Sequence, residues 1–202
     1  MQYPKFFDEV EKFILQDDLS AFLGASENGI IEINYLDCVK LAGHSCPTVA
    51  ASYIATKVAL AYLFEDIPKR AALKISFKNS KTDGVTGVIA NVISFITGCN
   101  DEGGFSGIGN KFNRKNLLTF NAKQDGLVKF SLLNEKKFIE LDIDTSVVPG
   151  NIELKSLMQK ALSGKANKKE LLQFQIMWQD RVKNMLLNKT LWNQIAKTIN
   201  KE

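Results

Sequence analysis

Apolar residues repeat along this chain with two different periods, and a given stretch can satisfy only one of them. Residues 29–35 alternate, with Ile31, Ile33 and Tyr35 on one side, and residues 71–77 do the same through Leu73, Ile75 and Phe77. Alternation recurs in residues 116–121, 127–133 and 138–143, separated by the turn residues Gln124-Asp125-Gly126 and Asn134-Glu135. A period of two exposes one face of a strand and buries the other, so these segments predict strands, the last three as an antiparallel meander. Elsewhere the spacing is helical. Phe6, Val10, Phe13 and Ile14 share a face over residues 4–16, with Pro4 in the first turn. Pro47 opens a helix of small residues over 48–64, and Val88, Val92, Ile93 and Ile96 mark another over 85–96.

Pro149-Gly150 closes this part, and residues 152–199 read as helical throughout with a break at Ser163-Gly164. Their stripe of Leu171, Phe174, Met177, Trp178, Arg181, Val182, Met185 and Leu186 follows the i, i+3, i+4, i+7 rule. The expected fold is therefore α+β, with helices packed on an antiparallel sheet. It divides into a core at residues 1–150 and a helical C-terminal extension at 151–202.

Composition narrows the class. Hydrophobic residues make up 45% of the 202 and charged residues 24%, the balance of an ordinary globular chain. No apolar run reaches the roughly 20 residues a membrane helix needs. The first thirteen residues mix charges with phenylalanine, without the basic start and apolar centre of a secretion signal. Three cysteines form no disulfide scaffold. A cytoplasmic protein, with no membrane partner, is expected. The net charge of +4 is uneven: residues 151–202 hold ten Lys/Arg against four Asp/Glu, and the first 150 hold 16 against 18. A basic tail on a near-neutral body lacks the dense stripe of a nucleic-acid binder, so no nucleic-acid partner is expected.

Chemistry concentrates at Gly43-His44-Ser45-Cys46-Pro47. His44 is the one histidine in the chain. With Pro47 in a first helical turn, Cys46 falls at the helix N-terminus, where free N–H groups favour a thiolate. Imidazole and thiolate are both ligands for a transition metal, zinc above all, and the same pair could work as base and nucleophile. Cys99, which follows the helix at 85–96, is the natural third member. Cys38 is a substitute for it, or a buried structural thiol between Leu36 and Val39.

Gly43-His44-Ser45-Cys46-Pro47 resembles the G-H-x-C-P motif of the FmdE family, which takes its name from a component of formylmethanofuran dehydrogenase. Thr97-Gly98-Cys99 resembles that family's T-G-C motif, and Gly107-Ile108-Gly109-Asn110 its G-K-G-N segment. The resemblance spans residues 1–145. It implies an α+β core, a homodimer, and a metal or active site at His44, Cys46 and Cys99, in a family associated with molybdenum or tungsten oxidoreductases. The chain departs from the pattern in several places: Thr48 follows Cys46-Pro47, Asn91-Val92-Ile93-Ser94 stands for D-A-I-Q, Ile108 replaces a lysine, and residues 100–104 lengthen the loop. No cysteine follows Cys99, so the zinc finger some members carry is absent.

Three functional classes follow as expectations. The first is a zinc or other transition-metal site formed by His44, Cys46 and Cys99, with an open coordination position for water or a carbonyl. The second is a metal-free thiol protein in which Cys46 does redox or nucleophilic work, making Cys46 the candidate catalytic residue. The third is a non-catalytic binding or accessory module. A small-molecule ligand suits any of them. The glycine-rich residues 98–109 lack phosphate-loop spacing and read as a loop covering the site, with Asp101 and Glu102 as solvated charges or an oxygen ligand. Lys165, Lys168 and Lys169 read as a solvated helix start.

Overall fold

Residues 3–133 and 136–202 are described here from a computed structural model. The predicted turn at Asn134-Glu135 lies outside the described residues. After Pro4 the chain makes one tight 3-10 turn, Lys5–Glu9, and then a strand, β1 (Phe13–Gln16), in place of the helix expected over 4–16. Phe13 and Leu15 are buried while Ile14 is exposed, so period two wins at the end of that segment. A short helix α1 (Asp18–Leu23) leads to β2 (Ile30–Ile33), which pairs antiparallel with β1, Phe13 opposite Ile33.

The strand expected to run to residue 35 stops at Ile33, because Asn34 caps a helix. Its side chain accepts the Asp37 N–H while the Asp37 carboxylate accepts the Asn34 N–H, a reciprocal capping box. Helix α2 (Tyr35–Ala42) therefore carries Cys38. Helix α3 (Pro47–Leu63) follows, as expected. Ala50, Ala51, Ser52, Ala55 and Ala59 are all fully buried, and these small side chains let neighbours approach from several sides.

The second sheet has five strands in the order β4-β3-β5-β6-β7. Its members are β3 (Leu73–Phe77), β4 (Leu118–Thr119), β5 (Val128–Leu132), β6 (Phe138–Ile143) and β7 (Ala196–Lys201), with α4 (Thr86–Thr97) between β3 and β4. Leu73, Ile75 and Phe77 point inward, as their alternation predicts. The meander is only half realised. β5 and β6 form an antiparallel hairpin, but β4 is two residues long and pairs parallel with β3, which lies between it and β5. Long-range pairing of β3 with β5 decides this order, and a local pattern of alternation cannot show it.

The tail is not helical throughout. Helices α5 (Ile152–Leu162), α6 (Lys168–Leu187) and the one-turn α7 (Trp192–Ile195) give way to β7, which pairs antiparallel with β6. Val182, Met185, Leu186, Ile195 and Ala196 belong to the same buried cluster as Val49, Ile54 and Phe130. The architecture is α+β: a mostly antiparallel sheet and a two-stranded one, with helices packed about α3. Among the described residues no helix is long and apolar enough to cross a membrane.

Candidate ligand site at the His44 turn

Helix α2 ends at Gly43, whose φ of 76° is left-handed and turns the chain out of the helix. His44 follows, exposed, with Nδ1 2.9 Å from the Ala42 carbonyl oxygen. A carbonyl only accepts, so Nδ1 carries a hydrogen, and in the neutral imidazole the lone pair is then on Nε2. Ser45 is held from two sides. Its hydroxyl pairs with the buried Tyr35 hydroxyl at 3.1 Å. Its carbonyl accepts from the Trp178 indole N–H at 3.0 Å and from the Gln179 amide at 3.3 Å. Helix α6 is thus built into the motif.

Behind the turn lies a run of aromatic rings. Phe7, Tyr35, Tyr53 and Phe13 meet edge to face, with centroids 5.2, 5.6 and 4.7 Å apart in succession. Burial raises the Tyr35 phenol well above its usual range, against the opposing bond from Ser45. In front, a cavity of about 380 Å³ is lined by Tyr3, Phe7, His44, Phe174, Trp178 and Gln179 among others. The rings of Phe174 and Trp178 lie 5.7 Å apart. Gln179 brings a buried Oε1 that has no hydrogen-bond partner among the described residues. A buried acceptor left unpaired is costly.

The predicted site residues divide. Cys46 is the N-cap of α3, as expected, and its half-buried Sγ accepts the Val49 N–H at 3.5 Å. Cys99 is elsewhere. It is fully buried with its thiol donating to the Leu73 carbonyl at 3.3 Å, and burial pushes its pKa up to about 11, against weaker pulls from Thr97, Leu73 and the charges of Arg70 and Arg114. Cys38 is also fully buried, its pKa raised to about 12 by burial and by Asp37. Both are inert small apolar groups in this setting.

A zinc centre on His44, Cys46 and Cys99 requires their imidazole and thiolates around one point. Among the described residues no three His, Cys, Asp or Glu side chains are so placed. His44, Cys46 and Cys99 do not form such a group. Asp101 serves the loop instead, bonded to Lys81 at 2.6 Å and to the Gly103 N–H at 3.1 Å. The loop after Cys99 packs by the Asn100 backbone against Arg114 and Leu117.

Sequence reasoning missed the contribution of α6. Phe174 and Trp178 form the packing stripe their spacing predicts, but the indole also grips the Ser45 carbonyl. A second polar cluster escaped it as well, in which the buried Asp17 carboxylate meets Arg70 at 2.9 Å and Arg114 at 2.7 Å. No protein-family profile matches this chain, and no curated protein matches it significantly.

Proposed function

We propose that this is a small-molecule-binding protein of FmdE-like character, whose site is the aromatic cavity at the His44 turn. The observation that carries the reading is a pair of acceptors at an aromatic wall. The Ala42 carbonyl holds His44 Nδ1–H, which makes Nε2 the acceptor of the neutral imidazole, and Gln179 Oε1 is buried without a partner among the described residues. Apolar rings with a few placed polar groups are the usual composition of such sites. A planar ligand carrying O–H or N–H donors satisfies both features.

Because His44 is the one histidine, its Cε1 proton gives a single NMR resonance to follow. Titration with phenol should move it saturably. Anisole, the same ring without the donor, should bind several-fold more weakly, the size expected for a neutral hydrogen bond of about 1 kcal/mol. Phe174→Ala should weaken phenol binding without unfolding the protein. A resonance indifferent to phenol, or equal response to the two compounds, would defeat the proposal. Stoichiometric zinc in protein purified without chelators, lost in Cys46→Ser, would replace it with a metal centre.

The cytoplasm and a homodimer belong to the same reading. All three cysteines are free thiols, as a reducing compartment would keep them. Ile152 and Leu162 on α5 are 88% and 81% exposed, and they offer the apolar surface on which a second copy would rest. Sedimentation equilibrium should give twice the chain mass of 22.5 kDa, and a monomer mass at high concentration removes the dimer.

A further inference from the structure

A second cavity, of about 420 Å³, opens beside the Asp17 cluster, on residues unconnected with the His44 turn. Asp17 caps α1 by accepting the Ser20 N–H at 3.0 Å, and its side chain is only 2% exposed. Two guanidinium groups share this one carboxylate. Each nitrogen of Arg70 is engaged: Nη1 goes to Asp17, Nε donates to the Ile96 carbonyl at 3.0 Å, and Nη2 to the Phe95 carbonyl at 2.7 Å. In Arg114 this is not so. Its Nη2 bonds both Asp17 oxygens at 2.7 Å, while Nε and Nη1 have no partner among the described residues.

Lys69 stands on the same wall, exposed, with no ion-pair partner for its ammonium group among the described residues. Asp18 is the one further carboxylate on the lining, so positive charge is in excess. The remaining wall is largely apolar, with Leu117, Leu133 and Phe112 on it. Phe112 takes a left-handed φ of 62°, rare for an aromatic residue, and its ring lies 5.1 Å from that of Phe22 on α1. The loop thus puts Phe112 on the same cavity lining as Arg114.

We propose that this cavity binds an organic anion, a carboxylate with a compact apolar body. The carboxylate takes hydrogen bonds from Arg114 and charge from Lys69, and the body lies against Leu117, Leu133 and Phe112. Arginine with unused N–H groups at a desolvated site is the side chain suited to a carboxylate.

Isothermal titration calorimetry with benzoate, benzyl alcohol and inorganic phosphate tests it. Benzoate should bind saturably, and benzyl alcohol about tenfold more weakly or worse, as loss of charge-assisted hydrogen bonds implies. Phosphate, which has the charge without the apolar body, should also bind more weakly than benzoate. Arg114→Gln should abolish the benzoate signal. Since that change also strips Asp17 of a partner, Lys69→Met is the companion variant. It should weaken benzoate several-fold and leave the melting temperature unchanged. Equal binding of benzoate and benzyl alcohol, phosphate tighter than benzoate, or a Lys69→Met dissociation constant equal to wild type would each overturn the proposal. The His44 resonance should stay still throughout, and its movement with benzoate in place of the Arg114 dependence would assign the anion to the other cavity.

Discussion

Only three of the 26 basic residues are arginine, and all three are anchored in the structure. Arg70 and Arg114 hold Asp17, and Arg181 donates to the Val148 and Thr145 carbonyls at 2.6 and 2.8 Å. A planar guanidinium can serve several acceptors at once where a lysine serves as a point charge, so in a lysine-dominated chain each arginine marks a fixed joint. Burial pulls the Asp17 carboxyl upward, but the Ser20 N–H and the charges of Arg114 and Arg70 outweigh it and hold the pKa below its usual 3.8. Asp17→Asn should therefore cost about 3–5 kcal/mol at neutral pH, the range for breaking a buried pair, measured by urea denaturation. A carboxylate with a lowered folded-state pKa contributes stability above the unfolded value of 3.8 and loses it as pH falls through the folded one. The gap between wild type and Asp17→Asn should thus be constant above about pH 5 and shrink in stronger acid. A gap of the same size at pH 3 and pH 7 would contradict this account. His44 and Cys46 were legible in the sequence because turn and helix start are local. The fate of Cys99 was not, since its thiol is held in the core by the Leu73 carbonyl, 26 positions away along the chain.

At the scale of elements, what could be read depended on whether the deciding partner was near. Helices α3 and α4 and strands β3, β5 and β6 fall close to where periodicity placed them. Strand β1 did not, because Phe6, Val10 and Phe13 fit a helical face and a tight turn followed by a strand equally well. Strand β7 was hidden in a different way. Residues 196–201 bury one side chain, Ala196, and expose the rest, so almost no apolar alternation exists to be found. Pairing with β6 makes it a strand. The Asn34 capping box went unread although it sits in a local pattern, and it matters because it aims α2 at the His44 turn. Asn34→Ala should lower stability by about 1 kcal/mol, the typical worth of such a cap. It should also broaden the His44 resonance as the end of α2 loosens. Unchanged stability in a chemical denaturation series would show that water replaces the cap without loss.

On the scale of the whole molecule, the segment after residue 150 is part of the body and not an appendage. Val182, Met185 and Leu186 fill the main core, Trp178 grips the motif turn, and β7 closes the edge of β6. Basic residues of that segment also tie it down, Arg181 to the Val148 and Thr145 carbonyls and Lys189 to Glu11. The Asp17 cluster is equally global, since its two arginines stand 53 and 97 positions from the carboxylate. Joining points so distant costs chain entropy before it returns any attraction. The ion cluster is thus expected to close late in assembly, after the hairpins and helices around it. Its loss in Asp17→Asn should appear in stopped-flow experiments as faster unfolding with refolding little changed. What two guanidinium groups around one carboxylate give this protein, on that view, is a slow exit from the native state more than a quick way into it.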